Sequence, residues 1–282
     1  MSPDFAGDVV IVTGAGAGLG RRYAIDLGAA GARVVVNART AAAAGAVVDE
    51  IRDEGGSAVA AVADARDGAH LAATALERFG RIDALIVNAG SVRDRTFLKM
   101  AADEWSEVVD VHLGGAYAGC AAVWPHLMEQ RSGAIVLTTS GAGMHGNFGQ
   151  ANYAAAKAGV IGLAKALAIE GARRGVRVNA LAPMAATAMT DGILDERMAA
   201  ALPPEAVSPV ALALAHRSCP LTGEVVEAGG GWASVLRWER SAGIRFRDAA
   251  SVDWPELTRF DEGADHPSST ADSLAPAVED PR

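Results

Sequence analysis

Three observations in the 282-residue chain predict a doubly wound α/β fold, a parallel sheet with helices on both faces. Short β-branched runs alternate with longer alanine-rich segments, the rhythm of strand–helix–strand crossover units. The runs are continuous in Val and Ile, which suits strands buried on both sides of a sheet. A glycine-rich turn directly follows the first run, in the position where a pyrophosphate meets free N–H groups at a helix start.

Taken in order, Val9–Val12 is the first strand, and Thr13-Gly-Ala-Gly-Ala-Gly-Leu-Gly20 turns the chain into a helix near 18–30. Strands follow at Val34–Val36, Val59–Val62, Ala84–Val87, Ala134–Leu137, Val176–Leu181 and Glu224–Glu227, giving about seven in all. Helices are predicted between the first six, near 40–54, 67–79, 103–130 and 150–173. Pro183, Pro203, Pro204, Pro209 and Pro220 break the rhythm, so 182–222 is expected to be a lid or substrate loop. After Gly229-Gly-Gly231 comes the aromatic and basic run Trp232–Arg240, then a polar, proline-rich tail whose last twenty residues are expected to be disordered or weakly docked. With no internal repeat and no second apolar core, the organisation reads as one domain over 1–231 and an extension over 232–282.

Composition narrows the function. An apolar content of 50% permits a sizeable core, and no apolar stretch is long enough to span a bilayer. The short acidic start resembles no secretory or mitochondrial leader, so a cytoplasmic location is expected. A formal charge of -9 argues against a nucleic-acid partner and leaves a small-molecule substrate. Cys120 and Cys219 make no disulfide framework, and no His/Cys cluster has zinc spacing, so no metal is assigned.

Tyr153 and Lys157 give the chemistry. The alanine-rich segment around them favours a helix, and an i, i+4 pair then projects from one face, phenol beside ammonium. A free phenol titrates near about pH 10, so work near neutrality requires a depression of roughly three units, or about 4 kcal/mol. One cation at about 4 Å, in an effective dielectric of about 20, supplies about 4 kcal/mol.

Thr13-Gly-x-x-x-Gly-x-Gly20, Asn88-Ala-Gly90, Ser140 and Tyr153-x-x-x-Lys157 stand in the order and spacing of the short-chain dehydrogenases/reductases, which the sequence closely resembles over about residues 5 to 231. The resemblance implies a Rossmann-type sheet, an NAD(P) cofactor and hydride exchange between an alcohol and a ketone. It makes Ser140, Tyr153 and Lys157 catalytic: Tyr153 moves the hydroxyl proton, Ser140 holds the same oxygen, and Lys157 lowers the phenol pKa and binds the nicotinamide ribose. Cofactor binding is implied for Gly14, Gly18, Leu19 and Gly20, for Asn88, Ala89 and Gly90, for Tyr153 and Lys157, and for Asp64, which should receive the adenine amino group. Asn88 should also tie the fourth strand to its neighbour. Thr187 is the candidate for the nicotinamide amide, although the family's loop threonine falls one residue later. Arg39 follows the second strand where relatives that use NAD carry an acid; it favours NADP.

Further segments, among them Asn88–Phe97, Val111-His-Leu113, Gly146–Tyr153 and Leu236–Arg240, are similar to one subgroup, the (3R)-3-hydroxyacyl-CoA dehydrogenase unit of peroxisomal multifunctional enzymes. That subgroup favours NAD, so the two lines of reasoning on the cofactor conflict. It implies a 3-hydroxyacyl-CoA or hydroxysteroid substrate, the alternatives being reduction of another carbonyl compound or a non-catalytic NAD(P)-binding sensor. His112 stands where many family members carry a catalytic asparagine. Arg93, Arg95, Lys99 and Arg237 are possible contacts for an anionic acyl-CoA. Homo-oligomerisation, as a dimer or tetramer through the helices near 103–130 and 150–173, is implied as well.

Overall fold

The computed structural model describes residues 3–187, 195–260 and 264–267. The chain divides into two compact units, Met1–Val235 and Leu236–Arg282.

The first unit alternates strand and helix as β1 (Val9–Val12), α1 (Gly18–Ala29), β2 (Arg33–Ala38), α2 (Ala41–Asp53), β3 (Ser57–Val62), α3 (Gly68–Phe79) and β4 (Ala84–Val87). Next come α4 (Ala102–Val109), α5 (Gly115–Gln130), β5 (Gly133–Thr138), α6 (Gly141–His145), α7 (Ala151–Gly171) and β6 (Val176–Pro183). The elements α8 (Glu196–Ala201), α9 (Ser208–Ala215), β7 (Val225–Gly229) and β8 (Trp232–Leu236) complete the order. The sheet runs β3-β2-β1-β4-β5-β6-β7-β8. Pairings from β3 through to β7 are parallel, with Val12 opposite both Val36 and Ile86. The order reverses between β1 and β4, and the crevice at the carboxyl ends of those strands is where an open α/β sheet binds its ligand. β1 is wholly buried and β2 is buried after Arg33, so the unbroken Val/Ile runs form the middle of the core.

The seven predicted strands are present, and an eighth joins the edge. Gly230 and Gly231, with φ of 57° and 80°, make the two-residue link from β7 to β8, a reversal that needs left-handed backbone. Trp232 and Val235 of β8 are exposed, so its apolar residues do not mark a buried strand.

Two further expectations are corrected. The helix predicted over 103–130 is two helices joined by a π-helical turn, Asp110–Gly114; such turns insert one residue and swing a side chain out of register. The predicted lid is not one element. Residues 188–194 lie outside the described ones, but Val207, Ala211, Leu212, Leu214 and Ala215 are core. Pro204 and Pro209 had read as breakers; they sit in the first turns of short helices, where a missing N–H costs nothing.

In the second unit Arg240 and Asp265 exchange backbone hydrogen bonds of 2.8 and 2.9 Å and pair their side chains, and Asp253 caps α10 (Trp254–Leu257). Most of the twenty residues expected to be disordered lie outside the described ones. No helix among the described residues is long and apolar enough to cross a membrane, and none of their His, Cys, Asp and Glu form a group that could hold a metal ion.

Candidate active site

The glycine turn lies at the carboxyl end of β1 and is fixed by buried polar side chains. The Thr13 hydroxyl accepts from the N–H groups of Asn88 (2.9 Å) and Ala89 (3.1 Å), while Asn88 Nδ2 donates back to the carbonyls of Thr13 (3.3 Å) and Gly14 (3.4 Å). Asn88 thus ties β4 to β1. On the other side Asn37 Oδ1 accepts from Gly14 N at 3.2 Å, and its Nδ2 donates to the carbonyls of Ala61 and Ala63. Sequence reading missed Asn37 and Thr13 as organisers; the available signal was an amide inside an otherwise apolar strand.

A Cβ on Gly14 would lie 2.7 Å from Ala89 Cα, and one on Gly20 would lie 2.4 Å from the Gly14 carbonyl. At Gly18, with φ of 53°, an added Cβ meets nothing within 4 Å, so only the backbone conformation calls for glycine there. Leu19 packs against the core. No side chain caps α1 and no acidic residue lies in its first turn, so its leading N–H groups stay available to an anion.

Ser140, Tyr153 and Lys157 converge. Ser140, two residues past β5, caps α6 by accepting from Ala142 N at 3.2 Å, and its hydroxyl lowers the pKa of the Tyr153 phenol. Lys157, buried one turn after Tyr153, donates from Nζ to the Thr138 carbonyl at 2.6 Å and lies 5.6 Å from the Tyr153 ring centroid. Thr139 Oγ1 donates to the Lys157 carbonyl, and a Cβ on Gly143 would stand 2.7 Å from that carbonyl carbon, so α6 is pressed onto α7.

Burial raises the Tyr153 pKa and Asp94 raises it further, against the lowering by Ser140. Burial likewise pushes Lys157 down to about 7, and its ammonium is turned to the Thr138 carbonyl. Burial of both groups opposes the depression of the phenol that a nearby cation supplies.

His112 comes from the π-helical turn and stands edge-on to Tyr153, with centroids 5.0 Å apart and an interplanar angle of 89°. Its Nε2 is 2.7 Å from the Ser91 carbonyl and 3.2 Å from Ser91 N; the shorter contact assigns the proton to Nε2. Burial, then the charge of Lys157, pushes its pKa down to about 3, so the ring is neutral. His112 Nδ1, Ser91 Oγ and Thr138 Oγ1 are buried beside the triad with no protein partner. A Cβ on Gly90 would fall 2.3 Å from His112 Cε1, which explains glycine there.

The loop after β4 is clamped to the start of α7. Fully buried Asn152 donates from Nδ2 to the carbonyls of Arg93 and Glu104, both at 3.1 Å, and Arg95 N donates to the Gly149 carbonyl at 2.8 Å. Arg93 and Arg95, candidates for an acyl-CoA contact, are paired with Glu107 (3.0 Å) and Glu104 (3.1 Å) on α4. Lys99 is exposed in the same loop, and Arg237 is exposed in the second unit.

At the far end of the crevice Arg39 is exposed just past β2, and Ala38 is buried where an acid would stand in an NAD site. Asp64 is engaged: both its oxygens accept from Arg66 at 2.8 Å, and that pair holds its pKa down to about 2. Thr187 is half-buried beyond the end of β6.

Residues 8–197 match the short chain dehydrogenase family, and the chain belongs to that family; the enzyme is an oxidoreductase. It is similar to peroxisomal multifunctional enzyme type 2 of Mus musculus, 41% identical over 292 residues that cover 98% of this chain and 40% of that one. It is also similar to the peroxisomal hydratase-dehydrogenase-epimerase of Neurospora crassa, 42% identical over 280 residues covering 96% of this chain and 31% of that one. The solved full-length peroxisomal multifunctional enzyme type 2 from Drosophila melanogaster matches with a TM-score of 0.84 and 38% identity, over 98% of this chain and 49% of that one. The chain thus spans less than half the length of these relatives.

Proposed function

We propose that this enzyme interconverts a secondary alcohol and a ketone with NAD(P), and that its substrate class is (3R)-3-hydroxyacyl-CoA/3-oxoacyl-CoA. The observation that carries the reading is the cluster in which buried Lys157 places Nζ 5.6 Å from the Tyr153 ring centroid, with Ser140 near enough to lower the phenol's pKa. Similarity to enzymes named for a dehydrogenase step and for multifunctional peroxisomal activity supports the acyl-CoA class over a hydroxysteroid or another carbonyl compound.

In this reading the two hydroxyls bind the substrate oxygen. Tyr153, held as the neutral phenol by its burial, gives its proton to a ketone oxygen and takes the proton of an alcohol in the reverse direction. Ser140 donates to the same oxygen and fixes its place. Lys157, with Nζ 5.6 Å from the Tyr153 ring centroid, would hold the ribose of a bound nicotinamide nucleotide. A bound nicotinamide supplies the hydride donor or acceptor. The glycine turn fits a dinucleotide: an uncapped helix start, close approach at Gly14 and Gly20, and orphaned polar atoms on Ser91, Thr138 and His112. Gly14, Gly18, Leu19, Gly20, Asn88, Ala89, Gly90, Tyr153, Lys157 and Thr187 would hold it, with Arg39 and Asp64 at the adenosine end. Exposed Arg39 beside buried Ala38 favours NADP, against the NAD expected from the subgroup.

The catalytic domain of this proposal is 1–231, with 232–282 as its extension. A homo-oligomer formed through α5 and α7 belongs to it, supported by exposed Tyr117 and Ile169 on those helices, as does a cytoplasmic location. Tyr153→Phe should lower turnover of a 3-hydroxyacyl-CoA by about 10²–10⁴-fold while cofactor binding by fluorescence titration stays close to wild type. Retained turnover would overturn the mechanism, and faster turnover of a 17β-hydroxysteroid in the same panel would overturn the substrate class.

A further inference from the structure

Just past β3 the chain makes a turn, Asp64-Ala-Arg-Asp67, that is held from three sides. Asp67 N closes it by donating to the Asp64 carbonyl at 2.9 Å, and the Asp67 side chain then caps α3 by accepting from His70 N at 3.1 Å. A Cβ on Gly68 would lie 2.2 Å from the Ala118 carbonyl oxygen, so the start of α3 is pressed onto α5. Upstream, Ala63 N donates to the Ala38 carbonyl at 3.2 Å, and the Ala63 carbonyl accepts from Asn37 Nδ2 at 3.0 Å. Asn37 also accepts from Gly14 N, so one buried amide couples the glycine turn to the chain that carries Asp64. Within this frame one residue engages Asp64 three times. Its Oδ1 accepts from Arg66 N at 2.9 Å and from Arg66 Nε at 2.8 Å, and its Oδ2 accepts from Arg66 Nη2 at 2.8 Å. A carboxylate offers about four acceptor positions, two on each oxygen. Oδ1 is therefore filled, and among the described residues nothing else bonds to Oδ2, which keeps one position. The Asp64 side chain is 45% exposed, so that position is open to a ligand. A pair this exposed adds little to stability, but a bidentate guanidinium fixes the plane and rotamer of the carboxylate, as a point charge does not.

We infer that Arg66 is a positioning residue of the adenosine subsite: it saturates Asp64 Oδ1 and leaves Oδ2 a single acceptor position, which accepts one N–H of an amino-bearing purine and repels the oxygen of an oxo-bearing one. This role rests on the reading above that Asp64 meets the adenine amino group. A carboxylate free to turn would swing to the ring N–H that an oxo purine carries beside its carbonyl, and would then bind either base. Arg66 prevents that swing, so it sets the choice of base through Asp64 with no contact of its own to the base.

The test needs no turnover. Fluorescence of the reduced nicotinamide follows binding of NADH and of its deamino form, in which hypoxanthine replaces adenine, to the full-length protein. Wild type should bind NADH about 10-fold more tightly than the deamino form, the scale of one hydrogen bond to a charged group. Arg66→Met keeps the stem and removes the side-chain donors; it should narrow the ratio to about threefold or less, chiefly by weakening NADH. Arg66→Lys, which restores the charge without the fork, should fall between the two, and Asp64→Ala should abolish the preference. A full ratio retained in Arg66→Met overturns the role of Arg66 and leaves Asp64 acting alone. Equal weakening of both dinucleotides in that variant overturns it as well, because a general disturbance of the crevice does not distinguish the bases. If wild type binds the two forms equally, or Asp64→Ala keeps the preference, the assignment of Asp64 to the adenine fails first, and the role of Arg66 falls with it.

Discussion

His112 dictates what residue 90 can be. Its Cε1 would lie 2.3 Å from a Cβ at that position, and the same ring is edge-on to Tyr153, so any displacement of His112 reaches the phenol proposed to carry the proton. Gly90→Ala should therefore cost about 1–3 kcal/mol of stability in a denaturant titration and lower kcat by about 10–100-fold through misplacement of the phenol. Full activity in Gly90→Ala would show that the ring can move without disturbing Tyr153. Arg39 makes a separate prediction at the other end of the crevice. Exposed and next to buried Ala38, it is proposed above to meet a 2'-phosphate, and on that reading Arg39→Ala should weaken NADP binding by about 10-fold or more, the scale of one charge-assisted contact, and NAD binding little; equal losses in paired titrations would remove the basis for an NADP preference. Ser140, Tyr153 and Lys157, proposed above to carry the proton transfer, stood out in the sequence because a hydroxyl, a phenol and a cation at fixed spacing form a recognisable pattern. Asn37, Asn152 and Gln150 did not, since each bonds to groups distant in sequence, such as Ala61 for Asn37 and Glu104 for Asn152, and no local pattern announces such a bond.

Elements were legible where burial is symmetrical. The central strands are apolar throughout because helices cover both faces, and that pattern located them to within a few residues. What escaped were departures from regularity: the π-helical turn at Asp110–Gly114, which periodicity over a long helix averages away, and β8, whose residues face solvent at the sheet edge. Prolines misled in 203–209 because the residue that breaks a helix interior also begins one. The consequence is measurable on α9. It packs against α1, β4 and β5 with Leu212 only 5% exposed, so Leu212→Ala should cost about 2–5 kcal/mol of unfolding free energy while KM for the substrate stays near wild type. A raised KM with unchanged stability would restore the lid reading for this stretch.

Across the whole molecule, buried titratable groups set the pH range of stability. His112 has its pKa pushed from 6.5 down to about 3. Its folded value lies below its unfolded one, so the unfolded chain binds the extra proton, and stability present above pH 6.5 is lost progressively as pH falls toward 3. The shift bounds the loss at about 4–5 kcal/mol. Asp64, depressed to about 2 from 3.8, adds to the loss only in stronger acid. On the alkaline side Cys120, raised from 9.0 to about 12 by burial, makes the unfolded chain ionise first, and stability falls above pH 9.0. Lys157, depressed from 10.5 to about 7, works the other way, because stability rises with pH between those values as the unfolded chain gives up the proton that the folded one has already shed. The two opposing slopes overlap above pH 9.0, so the alkaline limb should be shallow and the acid limb steep. Scanning calorimetry from pH 9 to pH 4 should show the melting temperature declining from pH 9 to about pH 7 as the folded protein's Lys157 regains its proton, and dropping further below pH 6.5. His112→Gln, which removes the titrating ring, should start from a lower melting temperature but flatten the fall between pH 6.5 and 4; a variant that falls as steeply as wild type would assign the acid limb to carboxylates instead.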